Sequence, residues 1–249
     1  VWGTGQDPGL TITYSFPTAS ATFLDPYTSL DEPGLEPGST NNWIPLNATQ
    51  QTAFSQALDA WANVTNINFS LVADTETVAG DIRVAFTNLD RADIVSWAYF
   101  PGDTPVAGDV WLDSNDISTA DTFQIGTERY KNFLHEIGHS LGLKHPNDVD
   151  GFGNTLPVEP DALLYPIMFQ SDGFSVNGVP DRWPSTPMVL DIQAIQYIYG
   201  ENESHNSGND TYVFDGNGEY FETIWDAGGV DTIDYRSSSI GASIDLNEG

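Results

Sequence analysis

Residues 135–145 read HEIGHSLGLKH, and three of the chain's four histidines fall within those eleven positions. On an α-helix, side chains four residues apart project from one face. His135 and His139 therefore present two imidazoles in the same direction, and neutral imidazole is a good ligand for zinc. Glu136 stands one step round the helix, where it reaches a metal-bound water without ligating the metal. Two histidines at this spacing, with a glutamate between them, are an arrangement suited to peptide hydrolysis with the carboxylate as general base.

The third histidine needs a turn. If the helix ran on past Gly142, His145 would be carried roughly 9 Å along the axis from His139 and away from any shared ion. Gly142 resolves this, because glycine adopts the left-handed conformation that ends a helix and folds the chain back. Pro146 then fixes the direction of exit. The pattern HExxHxxGxxH is that of the metzincins, and every fixed position is filled. The plain alternatives are a helix with scattered histidines and an ordinary surface carboxylate at 136. They require His, Glu and Gly to fall by chance where the chemistry needs them.

The composition narrows the rest. With 36 acidic against 7 basic residues the net charge is −29, which disfavours nucleic acid and anionic membranes as partners. Calcium binding, adaptation to salty surroundings and a preference for cationic substrates all fit such acidity, the first two better. Hydrophobic residues make up 39%, with 7 Trp, 10 Tyr and 13 Phe, enough for a packed core. Cysteine is absent, so disulfides, thiolate catalysis and cysteine metal sites are excluded. No apolar run approaches the ~20 residues of a membrane span. The opening VWGTGQDPG is not a signal peptide; either a leader has been removed or export uses another signal. A monomer is expected.

Along the chain, 10–16 alternates as a strand, and 25–47 reads as a long polar loop. A helix over 48–63 turns Phe54, Ala57, Leu58 and Trp61 to one face. Short strands are expected at 67–71, 82–86, 96–100 and 109–112. Thr127 caps the metal helix, whose core face is Phe133, Leu134, Ile137 and Leu141. The segment 146–187 is proline-rich and irregular. Helical spacing returns over 189–199 through Val189, Ile192, Ile195 and Tyr199, and Gly200 ends it. This order gives an α+β domain over 1–200. From 201 the chain turns rich in Asn, Asp and Gly, as at the start of a second, β-rich module over 201–249, with a strand at 242–246 and the module cut short at its C-terminal end.

HEIGHSLGLKHP, Met168 beyond it, LDIQAIQYIYG at 190–200, WDAGGVDTIDY at 225–235 and IDLNEG at 244–249 together resemble the serralysins, calcium-binding bacterial metzincins. Pro146 separates this group from other metzincins. The resemblance implies a secreted bacterial zinc endopeptidase with a twisted mixed sheet, an active-site helix and a C-terminal β-roll that binds calcium. It implies an edge strand above the metal, with SWAYF and GDVWL the segments placed there, pairing with extended protein or peptide substrates, a route to broad specificity. Met168 becomes the floor of the metal site, against the plain reading of core filler. The family's tyrosine two residues beyond that methionine is replaced by Gln170, a weak zinc ligand, with Tyr165 as a possible substitute.

Calcium is expected as well. Asp226 and Asp231 flank Gly228 and Gly229, whose carbonyls can approach an ion. The resemblance adds carbonyl ligands from Asn206, Gly208 and Asp210, with Asn206 standing where an arginine is usual. The alternative there is a glycine-rich hairpin with solvated acids. His205 reads as a solvated loop residue and Met188 as core. The runner-up function is a non-proteolytic module of a larger calcium-dependent adhesin or toxin, favoured by the missing tyrosine and opposed by the intact Glu136.

Overall fold

Six short strands, interrupted by one helix, fill the first half of the chain, and pairing gathers them into one sheet. The computed structural model describes residues 1–5, 7, 9–18, 21–23, 43–89, 94–116, 123–147, 166–169, 183–214 and 220–239. Strand β1 spans Leu10–Ser15, β2 Trp43–Ile44, β3 Ile67–Leu71, β4 Ile82–Thr87, β5 Ser96–Ala98 and β6 Val110–Asp113. The order is β3-β1-β4-β6-β5, parallel throughout except at the β5 edge, and β2 pairs antiparallel with β4. All six residues of β4 are buried, as a central strand covered on both faces requires.

Helix α1, Ala48–Val64, buries Phe54, Ala57, Leu58 and Trp61 to 1% exposure or less, the face its spacing predicts. Its start is a reciprocal box: Asn47 accepts from the Gln50 amide at 3.0 Å, and Gln50 accepts from the Asn47 amide at 2.9 Å. Helix α2, Glu128–Ser140, carries the metal motif; Thr127 caps it by accepting from the Tyr130 amide at 3.3 Å. The indole N–H of Trp61 donates to the Leu134 carbonyl at 3.0 Å and so ties α1 to α2. Phe133, Leu134, Ile137 and Leu141 are fully buried in the same core. Helix α3, Val189–Tyr199, ends at Gly200, whose φ of 80° suits glycine. The α+β architecture with a mixed sheet and an active-site helix holds.

Several boundaries differ from the sequence expectation. The β5 and β6 strands cover 96–98 and 110–113 rather than 96–100 and 109–112. Residues 43–44, expected within a loop, form β2 because Trp43 and Ile44 pair with Thr87 and Phe86. In the irregular stretch, Trp183–Pro184 form β7 and pair in parallel with β9, Tyr220–Phe221. Pairs of two residues have no periodicity to read. Strands β8, Thr211–Val213, and β10, Thr232–Asp234, also pair in parallel. A parallel pair needs a crossover, so the glycine-rich segment between them is not a hairpin. The strand expected at 242–246 lies outside the described residues.

The C-terminal segment is anchored to what precedes it. Thr65 bridges to Glu201, Trp225 donates from its indole to the Asn202 carbonyl at 3.0 Å, and Phe221 and Trp225 pack on the main core.

Candidate metal centre

The end of α2 brings the third histidine round. Gly142 has φ 102°; its amide donates to the His139 carbonyl at 2.8 Å, and the Leu143 amide donates to the Gly138 carbonyl at 2.9 Å. This is the paired 5→2 and 6→1 closure of a Schellman turn. The reversal brings His145 back over the helix.

The Nε2 atoms of His135, His139 and His145 lie 3.0–3.1 Å from one another. Two of the rings have fixed tautomers. Nδ1 of His135 donates to the Ile167 carbonyl at 2.7 Å, and Nδ1 of His139 donates to the Leu143 carbonyl at 2.7 Å. With the proton at Nδ1, each Nε2 carries a bare lone pair. These lone pairs point at one another, which is repulsive unless a cation lies among them. A tetrahedral zinc with Zn–N of about 2.0–2.1 Å spaces its nitrogens by about 3.3 Å, so the triangle needs to open only slightly. The chemistry of the donor set fits zinc.

Electrostatics agree. Burial, then the neighbouring His139, holds His135 well below its usual pKa. Burial and His145 push His139 down to about 4, against the Leu143 carbonyl, which works the other way. Both rings are neutral near pH 7 and ready to ligate. His139 is buried, whereas His135 and His145 keep some exposure, so the centre is not sealed.

Glu136 is 3% exposed. Burial raises its pKa to about 7, opposed by Ser96 on β5 and by the Lys131 ammonium. Its Oε2 is buried without a hydrogen-bond partner among the described residues, so it is free to take a proton. Lys131 is itself buried, with its ammonium 5.6 Å from the Trp183 ring centre. Phe100, half exposed, sets its ring edge-on to His139 at 5.6 Å.

Met168, expected as the floor of the site, is 2% exposed and packs against Gly138 of α2. A Cβ on Gly138 would come within 2.3 Å of the Met168 sulfur, so the glycine inside HEIGH leaves room for the thioether. Asp191, on the first turn of α3, accepts from the amides of Ile167 at 2.7 Å, Met188 at 3.0 Å and Met168 at 3.3 Å. It fixes the peptide whose carbonyl orients His135. The sequence reading missed Gly138, Lys131 and Asp191. An acidic residue in a helix's first turn was the only signal for the last of these, and it does not tell which loop is held. Gln170 and Tyr165 lie outside the described residues.

A second cluster forms from Asp210, Asp226 and Asp231, with carboxylate oxygens within 4.8 Å of one another. Oδ2 of Asp210 is buried and unpartnered among the described residues. Asp226 is held by the amide of Gly228 at 2.8 Å and by the Tyr212 hydroxyl. Gly228 and Gly229 have φ of 146° and 136°, and a Cβ on Gly229 would overlap the Gly208 carbonyl at 1.5 Å. Asn206 has φ 49° and donates from its side chain to the Tyr212 hydroxyl at 3.1 Å. Acidic oxygens beside glycine-lined backbone fit calcium. His205 is in neither cluster.

Comparison with known proteins places these sites in context. A sequence profile described as matrixin, of the M10 peptidases, matches residues 39–153. Serralysin C of Dickeya chrysanthemi is 32% identical over 240 residues, covering 86% of this chain and 49% of that protein. Serralysin B of the same organism is 29% identical over 251 residues, covering 90% and 51%. Metallopeptidase AprA of Pseudomonas marginalis is 29% identical over 265 residues, covering 95% and 52%. The chain spans about half the length of the curated relatives it matches.

Proposed function

The chain is related to the serralysin family across most of its length, and on that premise we propose that it is the catalytic part of a secreted bacterial zinc endopeptidase. The convergence of three imidazole lone pairs beside a buried, half-unpartnered carboxylate carries this reading. His135, His139 and His145 would hold the ion. Zinc bound there supplies Lewis acidity, lowering the pKa of water towards 7 and polarising a carbonyl.

The chain's own residues do the rest. Glu136 takes the proton of the attacking water on its carboxylate and passes it to the leaving amine nitrogen, so that peptide and water become acid and amine. A pKa lifted by burial suits a group that must both accept and release that proton. Ser96 and Lys131 keep the carboxylate oriented and within working range. Strand β5, the sheet's edge among the described residues, is where an extended protein or peptide substrate would add as a further strand, with Phe100 beside the metal ligand at its end.

The domains divide at about residue 200, and the segment after it begins a β-rich calcium module. Gly208, Asp210, Asp226, Gly228, Gly229 and Asp231 supply oxygen ligands there, with the Asn206 carbonyl beside them. Among the described residues no helix is long and apolar enough to cross a membrane. We take the chain to act as a monomer, without nucleic acid. A scaffold without activity has no use for a buried carboxylate beside its ligands.

The test is Glu136→Ala. It should bind one equivalent of zinc and lose peptide cleavage by about 10²–10⁴-fold. Near-parental turnover of a casein substrate by that variant ends the assignment.

A further inference from the structure

The carbonyls in the last turn of a helix find no partners inside it. In α2 the Schellman turn satisfies those of Gly138 and His139. The next two, on Ser140 and Leu141, belong to residues that are fully buried and must be satisfied from outside. Their donors come from opposite ends of the catalytic domain. The indole N–H of Trp2 donates to the Ser140 carbonyl at 2.7 Å. The hydroxyl of Tyr199, at the end of α3, donates to the Leu141 carbonyl at 2.8 Å.

The two donors are coupled, because the backbone N–H of Trp2 donates to the Tyr199 hydroxyl at 3.0 Å. Both are locked by their surroundings. Tyr199 is 1% exposed. The Trp2 ring lies so close to Gly108 that a Cβ there would come within 2.7 Å of it. The Gly108 carbonyl accepts in turn from the Ser140 hydroxyl at 3.0 Å. These bonds converge on the Ser140–Leu141 segment. That segment is the link between His139 and the Gly142 turn that swings His145 into place.

We propose that Trp2 and Tyr199 are positioning residues for the third metal ligand. By capping the Ser140 and Leu141 carbonyls they fix the angle at which the chain leaves α2, and so where the His145 imidazole arrives. The inference rests on the zinc reading above. It gives the first residues of the chain a part in the metal site although they touch no ligand. Groups hydrogen-bonded directly to a metal ligand typically shift metal affinity about 10–100-fold; Trp2 and Tyr199 act through the backbone one step further out, so the lower end of that range is expected.

The test uses the full chain with two conservative variants, Trp2→Phe, which keeps a ring but removes the indole N–H, and Tyr199→Phe, which removes only the hydroxyl. Zinc affinity is measured by competition with a chromophoric chelator, and the ligand field by the visible absorption of the cobalt(II)-loaded protein. Each variant should bind zinc at least about tenfold more weakly and show a changed cobalt spectrum. Variants that lose thermal stability but keep the parent's affinity and spectrum overturn the inference, since a merely structural role predicts that result. Should Trp2→Phe fail to fold, Tyr199→Phe decides on the same criteria. A parent chain that takes up no cobalt overturns the metal reading itself, and this one with it; parental cobalt uptake with unaltered variants overturns only this one.

Discussion

Asp191 offers the sharpest test of how the site is held. It is 2% exposed, and burial pushes its pKa from 3.8 up to about 7 against the pull of the Ile167, Met188 and Met168 amides. Two of the amides, at 2.7 and 3.0 Å, bond Oδ2, and the third, at 3.3 Å, bonds Oδ1. A carboxyl with a higher pKa folded than unfolded takes up a proton on folding. Its stabilising contribution is complete below about 3.8 and is lost as pH rises through about 7. A rise of about three units corresponds to roughly 4 kcal/mol at most. Asp191→Asn mimics the neutral acid and should be near-neutral at acidic pH. Asp191→Ala strands two well-bonded amides at about 1–3 kcal/mol each, so it should cost about 2–6 kcal/mol. Urea unfolding of the chelator-treated protein across pH 4–8 measures both, with the parent compared against Asp191→Asn so that the other titrating groups cancel. The reasoning fails if the Asn variant is as unstable as the Ala variant and the difference between parent and Asn does not change with pH. The carboxyl would then be ionised throughout.

Other consequences are simpler to check. Gly138→Ala forces a methyl group against the Met168 sulfur and the Trp61 ring, and should cost about 1–3 kcal/mol in thermal or urea unfolding while weakening zinc retention on dialysis. Asp74 and Arg83 form a buried two-pronged ion pair, with nitrogen–oxygen distances of 3.0 and 2.9 Å. Asp74→Ala should therefore cost about 3–5 kcal/mol, because it leaves a buried guanidinium without its counter-charge, and urea midpoints report it. Calcium should be retained on equilibrium dialysis after chelation and reloading, and Gly229→Ala should abolish it, since the Gly208 carbonyl leaves no room for a side chain. Equal retention by both proteins would remove the C-terminal site.

Local pattern made much of the site legible. The face of α1 carrying Phe54, Ala57, Leu58 and Trp61, the Thr127 cap of α2, and the span of α3 with Gly200 at its end follow from periodicity and capping chemistry, which act over a few residues. The hairpin alternative for the glycine-rich C-terminal segment did not survive, because β8 and β10 run parallel, and strand direction is set by a distant partner. Strands β2, β7 and β9 went unseen because two residues carry no repeat.

The eleven residues 135–145 determined the donor set by themselves. A helix fixes the angle between His135 and His139, and a glycine in the left-handed region returns His145, whatever surrounds them. Only the tertiary structure decided which groups hold that set in tension. The Ile167 carbonyl lies 32 residues from the ring it orients, Asp191 lies 24 residues beyond Ile167, and the Trp2 indole caps a carbonyl 138 residues away. Burial raises Glu136 and lowers His139 only once sheet and helices close over them. Ligand spacing is a property of the local backbone, whereas desolvation and the satisfaction of stranded carbonyls depend on which remote segments come to rest there.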